Sequence, residues 1–144
     1  MSPRPLVVFV ATLPLVLLTA LAVAQTGDGR ADSYVIASIL VAAGCARMAT
    51  LEVDRRLYAL TNALWVVCMP LVAGASTGFA LAVVHPKLVE GHVNPWPLLG
   101  GAGLGFLGGV VLWPALVVAG AVVQLFAVIF ARTIARSSPV SDPA

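Results

Sequence analysis

Four stretches of the chain, 5–24, 33–51, 57–84 and 98–131, are apolar all round, and the segments between them are short and polar. A membrane-spanning helix needs about 20 apolar residues, and each stretch supplies that number or nearly so. A transmembrane barrel would instead show alternating segments of about 10 residues, which this pattern does not. The predicted fold is all-α: a polytopic membrane protein with four transmembrane helices in one antiparallel bundle over 1–136. The polar, proline-containing tail 137–144 is expected to be disordered and cytoplasmic.

Composition points the same way. The chain is 60% hydrophobic and 10% charged with a mean hydropathy of +1.03, whereas soluble domains carry roughly 25% charged residues. So little polar surface cannot cover the apolar remainder in water, and in lipid every backbone polar group has to be paired within the chain.

The net charge of +2 is small, but its distribution orients the bundle. With an inside N-terminus, Arg4, Arg47, Arg55, Arg56, Arg132 and Arg136 collect at the cytoplasmic end, against Arg30 and Lys87 at the other. That is a positive-inside bias, and it predicts a multi-pass plasma (inner) membrane protein with both termini cytoplasmic. The first run also fits a second description. Met1-Ser2-Pro3-Arg4, an apolar stretch and then Ala22-Val23-Ala24 before Gln25 resemble a cleavable secretory signal, although the apolar stretch is longer than such a signal usually carries. Cleavage would leave a three-helix protein.

Lengths are uneven. At 1.5 Å per residue the run 98–131 would reach about 50 Å, against about 30 Å of hydrocarbon. Either it projects beyond the membrane at the outer side, or its glycine-rich beginning is a separate interfacial or re-entrant piece joined near Trp113-Pro114. The run 57–84 overshoots at the same side, which favours one tilted or protruding hairpin of the last two runs. Pro14, Pro70 and Pro114 lie within spans and predict kinks. In the tight turn between the second and third runs, Glu52 and Arg56 would pair if the second helix ran on through it.

Within the fourth run, Gly103-Leu104-Gly105-Phe106-Leu107-Gly108 matches G-x-G-x-x-G, the spacing of a dinucleotide phosphate loop. That loop needs a strand before it and an acidic residue about 20 positions on. Neither is present, so no nucleotide is expected. Counted at helical spacing, Gly101, Gly105 and Gly109 instead lie on one face, and Gly74, Gly78 and Ala82 on the third run repeat in the same way. In an antiparallel hairpin these stripes lie level, Ala82 beside Gly101, Gly78 beside Gly105 and Gly74 beside Gly109. The predicted result is a close backbone contact between the two helices, with a contact to another subunit as the alternative. A weaker small-residue stripe, Ser38, Ala42, Ala46 and Thr50, runs along the second helix.

Polar residues within the spans are few. No Asp or Glu lies well inside any run, which argues against a proton- or cation-coupled carrier. Arg47, Asn62 and Gln124, with Thr12 and Thr61 nearby, fall in the cytoplasmic half and form a possible polar or anion site. The plainer reading is that Arg47 snorkels to the surface while the two amides bond between helices. Cys45 and Cys68 have no ligand-like spacing and are expected to be buried free thiols. His85, Glu90 and His92 bring metal-ligand types into one external loop, but without a fourth ligand or a fixed geometry they are weak candidates, and no metal is expected. No histidine lies deep in a span, so a transmembrane bis-histidine haem is excluded. No catalytic motif stands out, so the protein is expected not to be an enzyme and to need no cofactor.

Three functions remain, in descending order of support. The first is a non-enzymatic accessory or assembly subunit, or a self-associating module, built around the stripe pair; its partners would be the bilayer, other membrane subunits or further copies of itself. The second is a small oligomeric transporter or channel for an anionic or polar solute lined by Arg47, Asn62 and Gln124. The third is a metal- or lipid-processing enzyme using the loop from His85 to His92. Neither nucleotide nor nucleic acid is expected as a partner.

Overall fold

The computed structural model describes residues 4–26, 31–84 and 96–137. Among these residues there are five α-helices and no strand: α1 Arg4–Thr26, α2 Ala31–Ala49, α3 Arg55–Val84, α4 Trp96–Val111 and α5 Trp113–Ser137. Helices α1, α2, α3 and α5 are long and apolar enough to cross a membrane, and the protein is an all-α, membrane-embedded bundle. The segment 138–144 lies outside the described residues.

Local chemistry marks the helix ends. Helix α2 stops at Ala49, where Thr50 turns back on Ala46, its backbone N–H donating to the Ala46 carbonyl at 3.1 Å and its hydroxyl at 2.8 Å. Residues 51–54 are not helical. Asp54 then starts α3: its carbonyl accepts the first helical bond, from the Tyr58 N–H at 2.8 Å, and its side chain accepts the otherwise orphaned Arg55 N–H at 2.7 Å, as at an N-cap. Because α2 does not continue through this turn, the anticipated Glu52–Arg56 helical pair does not form.

The fourth apolar run is two helices rather than one span. The break falls at Leu112, beside Pro114, which has no N–H for the Val110 carbonyl one turn back. The two pieces stay joined, since the Leu112 N–H donates to the Gly108 carbonyl at 3.1 Å and the Leu116 N–H to the Leu112 carbonyl at 3.0 Å. Helix α4 runs antiparallel along the far half of α3 instead of folding back as a re-entrant piece.

This break divides the bundle. Toward the end that carries Arg4, Arg55 and Arg132, helices α1, α2, α3 and α5 close into a ring, each packed on two neighbours, with α2 also touching α5. Val16, Val41, Ala42, Cys45, Met69 and Val123 form the middle of its core, and Val8, Ala46, Ala49 and Ala127 form a second cluster nearer the arginines. The small-residue stripe of α2 lies inside: Ser38, Ala42 and Ala46 are buried. Toward the other end α4 packs on α3, meets α5 only weakly and, among the described residues, stands apart from the backbones of α1 and α2.

The α3–α4 contact is backbone on backbone. A Cβ placed on Gly105 would collide with the Gly74 carbonyl and stand 2.9 Å from the Gly78 Cα, and one on Gly78 would collide with the Gly101 carbonyl. Gly101 lies against Ala82, with a would-be Cβ–Cβ separation of 2.9 Å, and a Cβ on Gly74 would stand 3.0 Å from the Gly109 nitrogen. Lipid provides no hydrophobic force between helices, so the contact rests on the dispersion gained when two backbones approach this closely.

Candidate functional site

Three arrangements in the bundle have chemical character. The first is a polar tie in the closed half. Asn62 on α3 and Gln124 on α5 are 9% and 3% exposed, and the Gln124 side-chain N–H2 donates to Oδ1 of Asn62 and to the Cys45 carbonyl. Asn62 in turn donates to the Tyr58 carbonyl at 2.8 Å and to the Met48 carbonyl at 3.4 Å. Two side chains thereby tie α2, α3 and α5 together. Oε1 of Gln124 is buried and accepts no hydrogen bond from the described residues.

Arg47 is not a member of that tie. It is exposed, in the last turn of α2, and is bonded to neither amide. The residues grouped in sequence as Arg47, Asn62 and Gln124 thus separate into an interhelical amide pair and a surface cation. Thr12 and Thr61 are satisfied within their own helices, donating to the Val8 and Leu57 carbonyls at 2.6 and 2.7 Å. Among the described residues, polar side chains therefore line no continuous path through the closed half.

Cys45 sits beside the tie. The Trp65 indole N–H donates to its sulfur at 3.3 Å, and the indole ring fills the space left bare by Gly44, where a Cβ would collide with it. Gly120 likewise makes room for the Met69 methyl. Sequence reasoning missed both, because each glycine accommodates a side chain distant in sequence and belongs to no repeating stripe. Of the two cysteines expected to be buried, Cys45 is buried, whereas Cys68 faces outward. Among the described residues no group of three His, Cys, Asp or Glu side chains is placed to hold a metal ion. His85, Glu90 and His92 lie outside the described residues.

The second arrangement is an apolar cleft of about 220 Å³ in the open half, between α4 and the other helices. Its α4 wall is bare backbone at Gly105, Gly108 and Gly109, and the facing walls mix small residues such as Ala37 with larger side chains such as Tyr34 and Leu116. It exists because α4 is drawn onto α3 by the glycine contact and set free of α1 by the break at Leu112. The Trp113 indole N–H fixes that divergence by donating at 2.9 Å to the Val67 carbonyl. Gly108 has nothing within 4 Å of a would-be Cβ and faces open space.

The third is a groove of about 680 Å³ at the arginine-rich end, to which each of the four long helices contributes an arginine: Arg4, Arg47, Arg55 and Arg132. Sequence reasoning read these residues as orientation signals, and Arg47 also as part of an anion site with Asn62 and Gln124, but did not bring the four arginines together.

No protein-family model, no curated protein and no solved structure matches this chain.

Proposed function

We propose that the protein is a non-enzymatic subunit of a membrane assembly, whose work is to receive a transmembrane helix of a partner subunit. The observation that carries this reading is the cleft between α4 and the ring of the other helices. Helices in lipid associate where small residues let backbones approach, and the cleft presents such a wall without a described helix of this chain against it. Its α4 side is bare at Gly108, while Leu104, Leu107 and Val111 of the same helix are exposed around it. Bulky side chains flanking an open small-residue seat fit a knob from an incoming helix. In this reading the arginine-rich end faces the cytoplasm of a bacterial cell, both termini are on that side, and the protein resides in the plasma membrane.

The polar tie supports the subunit reading over the transporter reading, because the amide N–H groups of Asn62 and Gln124 are spent on the Asn62 oxygen and on backbone carbonyls. The test is a photoreactive benzoyl side chain introduced at Gly108 and illuminated in native membranes. Adducts to one protein at near-equal stoichiometry are expected, and mass analysis identifies whether it is another subunit or a second copy. Adducts to lipid alone would overturn the proposal.

A further inference from the structure

We infer that the groove at the arginine-rich end binds a phosphoryl group, with Arg4, Arg47, Arg55 and Arg132 as its donors. These side chains converge from separate elements. Arg4 is the first residue of α1 and Arg55 the first of α3, Arg47 lies in the last turn of α2, and Arg132 lies near the end of α5. One arginine from each long helix lines one groove of about 680 Å³. A charge bias that only orients a chain needs arginines at one end but does not need them around a common space.

Glu52 also lines the groove, yet among the described residues none of these four arginines makes an ion pair with it or with any other side chain. Arg132 is steered by stacking over the Tyr58 ring, 5.9 Å from its centroid, while the Tyr58 hydroxyl is occupied in donating to the Ala49 carbonyl at 2.9 Å. Four guanidinium groups against one carboxylate leave the groove strongly cationic, with N–H donors to spare.

All the cations are arginine, whose planar fork pairs with two oxygens of a phosphate at once and loses little freedom in doing so. The groove continues onto apolar residues, Val8, Ala131 and Ile134, so a phosphate carried on an acyl chain would meet a floor of matching character. An anionic phospholipid headgroup and a soluble phosphate share the recognised chemistry, and the test separates them.

The full chain is placed in phosphatidylcholine vesicles. The association of spin-labelled phosphatidylglycerol is compared with that of spin-labelled phosphatidylcholine by electron paramagnetic resonance. A basic residue held against the headgroup strengthens anionic lipid binding by about five-fold, so with at least two of the four engaged a preference of about ten-fold or more for the anionic lipid is expected. Arg47→Gln with Arg132→Gln should cut it by about five-fold or more. Arg56→Gln with Arg136→Gln removes the same charge from the same end but outside the groove, and should cut the preference clearly less. In parallel, inorganic phosphate is titrated calorimetrically into delipidated protein in neutral detergent. Phosphate binding that is lost in the groove variant, without a lipid preference, keeps the phosphoryl site and assigns it to a soluble ligand. Neither binding mode, or an equal loss in the two double variants, would overturn the inference.

Discussion

At the arginine-rich end α5 lies against α1 and α3 and is tied to α3 and α2 by side chains of ordinary length, whereas at the opposite end α4 has left α1 and lies on α3 with nothing larger than the Ala82 methyl between their facing stripes. The two halves are continuous through α3 and differ in how a helix is attached to it. A glutamine reaching an asparagine spans a gap and can re-aim when the gap changes. Two glycine faces in contact have no such reach. The difference has a geometric consequence: close approach on one flank of α4 withdraws it from the other, so the backbone contact is what opens the cleft beside it.

The largest effect is therefore expected where that contact has no slack. Gly105→Leu puts a branched side chain where even a Cβ collides with the Gly74 carbonyl and crowds Gly78. Overpacking typically costs about 1–3 kcal/mol where side chains can shift, and here the opposing atoms are backbone, so a loss of about 3 kcal/mol or more is expected. Unfolding of the purified protein in mixed detergent micelles measures it. A Gly105→Leu variant as stable as the wild type would mean that α3 and α4 are not in backbone contact, and the division of the bundle into two halves would fall with it.

The closed half should respond more mildly. Removing Gln124 or Asn62 breaks hydrogen bonds that average about 0.6 kcal/mol in membrane interiors and reach about 1.7 kcal/mol. Substituting each by leucine, singly and together, isolates their coupling, and a value in that range is expected from the same micelle unfolding assay. Coupling above about 3 kcal/mol, beyond that range, would reverse the comparison and make the polar tie the dominant attachment of the fold.

The difference between the halves also explains what could be read in advance. The existence of four spanning helices was legible because the apolar runs needed for lipid are long and interrupted by polar turns. The α3–α4 contact was legible because glycine repeats at the helical period on both sides, and antiparallel register follows from position alone: Gly78 does stand against Gly105, and Ala82 against Gly101. The break at Leu112 was only partly legible. Pro114 marked a place for it, but a mid-span proline also occurs in α1 and α3, where the helix continues. The separation of Arg47 from the Asn62–Gln124 pair was legible only as the plainer of two readings, Arg47 at the surface and the amides bonded between helices, since equal depth in the bundle says nothing about which way a side chain faces on its helix. For the same reason the groove could not be assembled from sequence. Arg4, Arg47, Arg55 and Arg132 share a depth, but only the ring order of four helices turns them toward one space.

The smallest expected effect tests the comparison from within a single helix. Gly103 lies two residues from Gly105, in the same run that first suggested a phosphate loop, yet a Cβ there meets nothing within 4 Å. If the opposing backbone makes Gly105 intolerant, rather than a general need for glycine in α4, then Gly103→Ala should shift stability by no more than about 0.5 kcal/mol, the ordinary range for a substitution that touches no neighbour. The direction should be toward greater stability, because alanine is favoured over glycine by about 1 kcal/mol in a helix interior in water, an advantage that lipid reduces by holding the backbone helical already. Loss of stability comparable to that of Gly105→Leu would show that α4 has a second close neighbour on its outward face. The cleft-side geometry argued for Gly108 would then have to be redrawn around it.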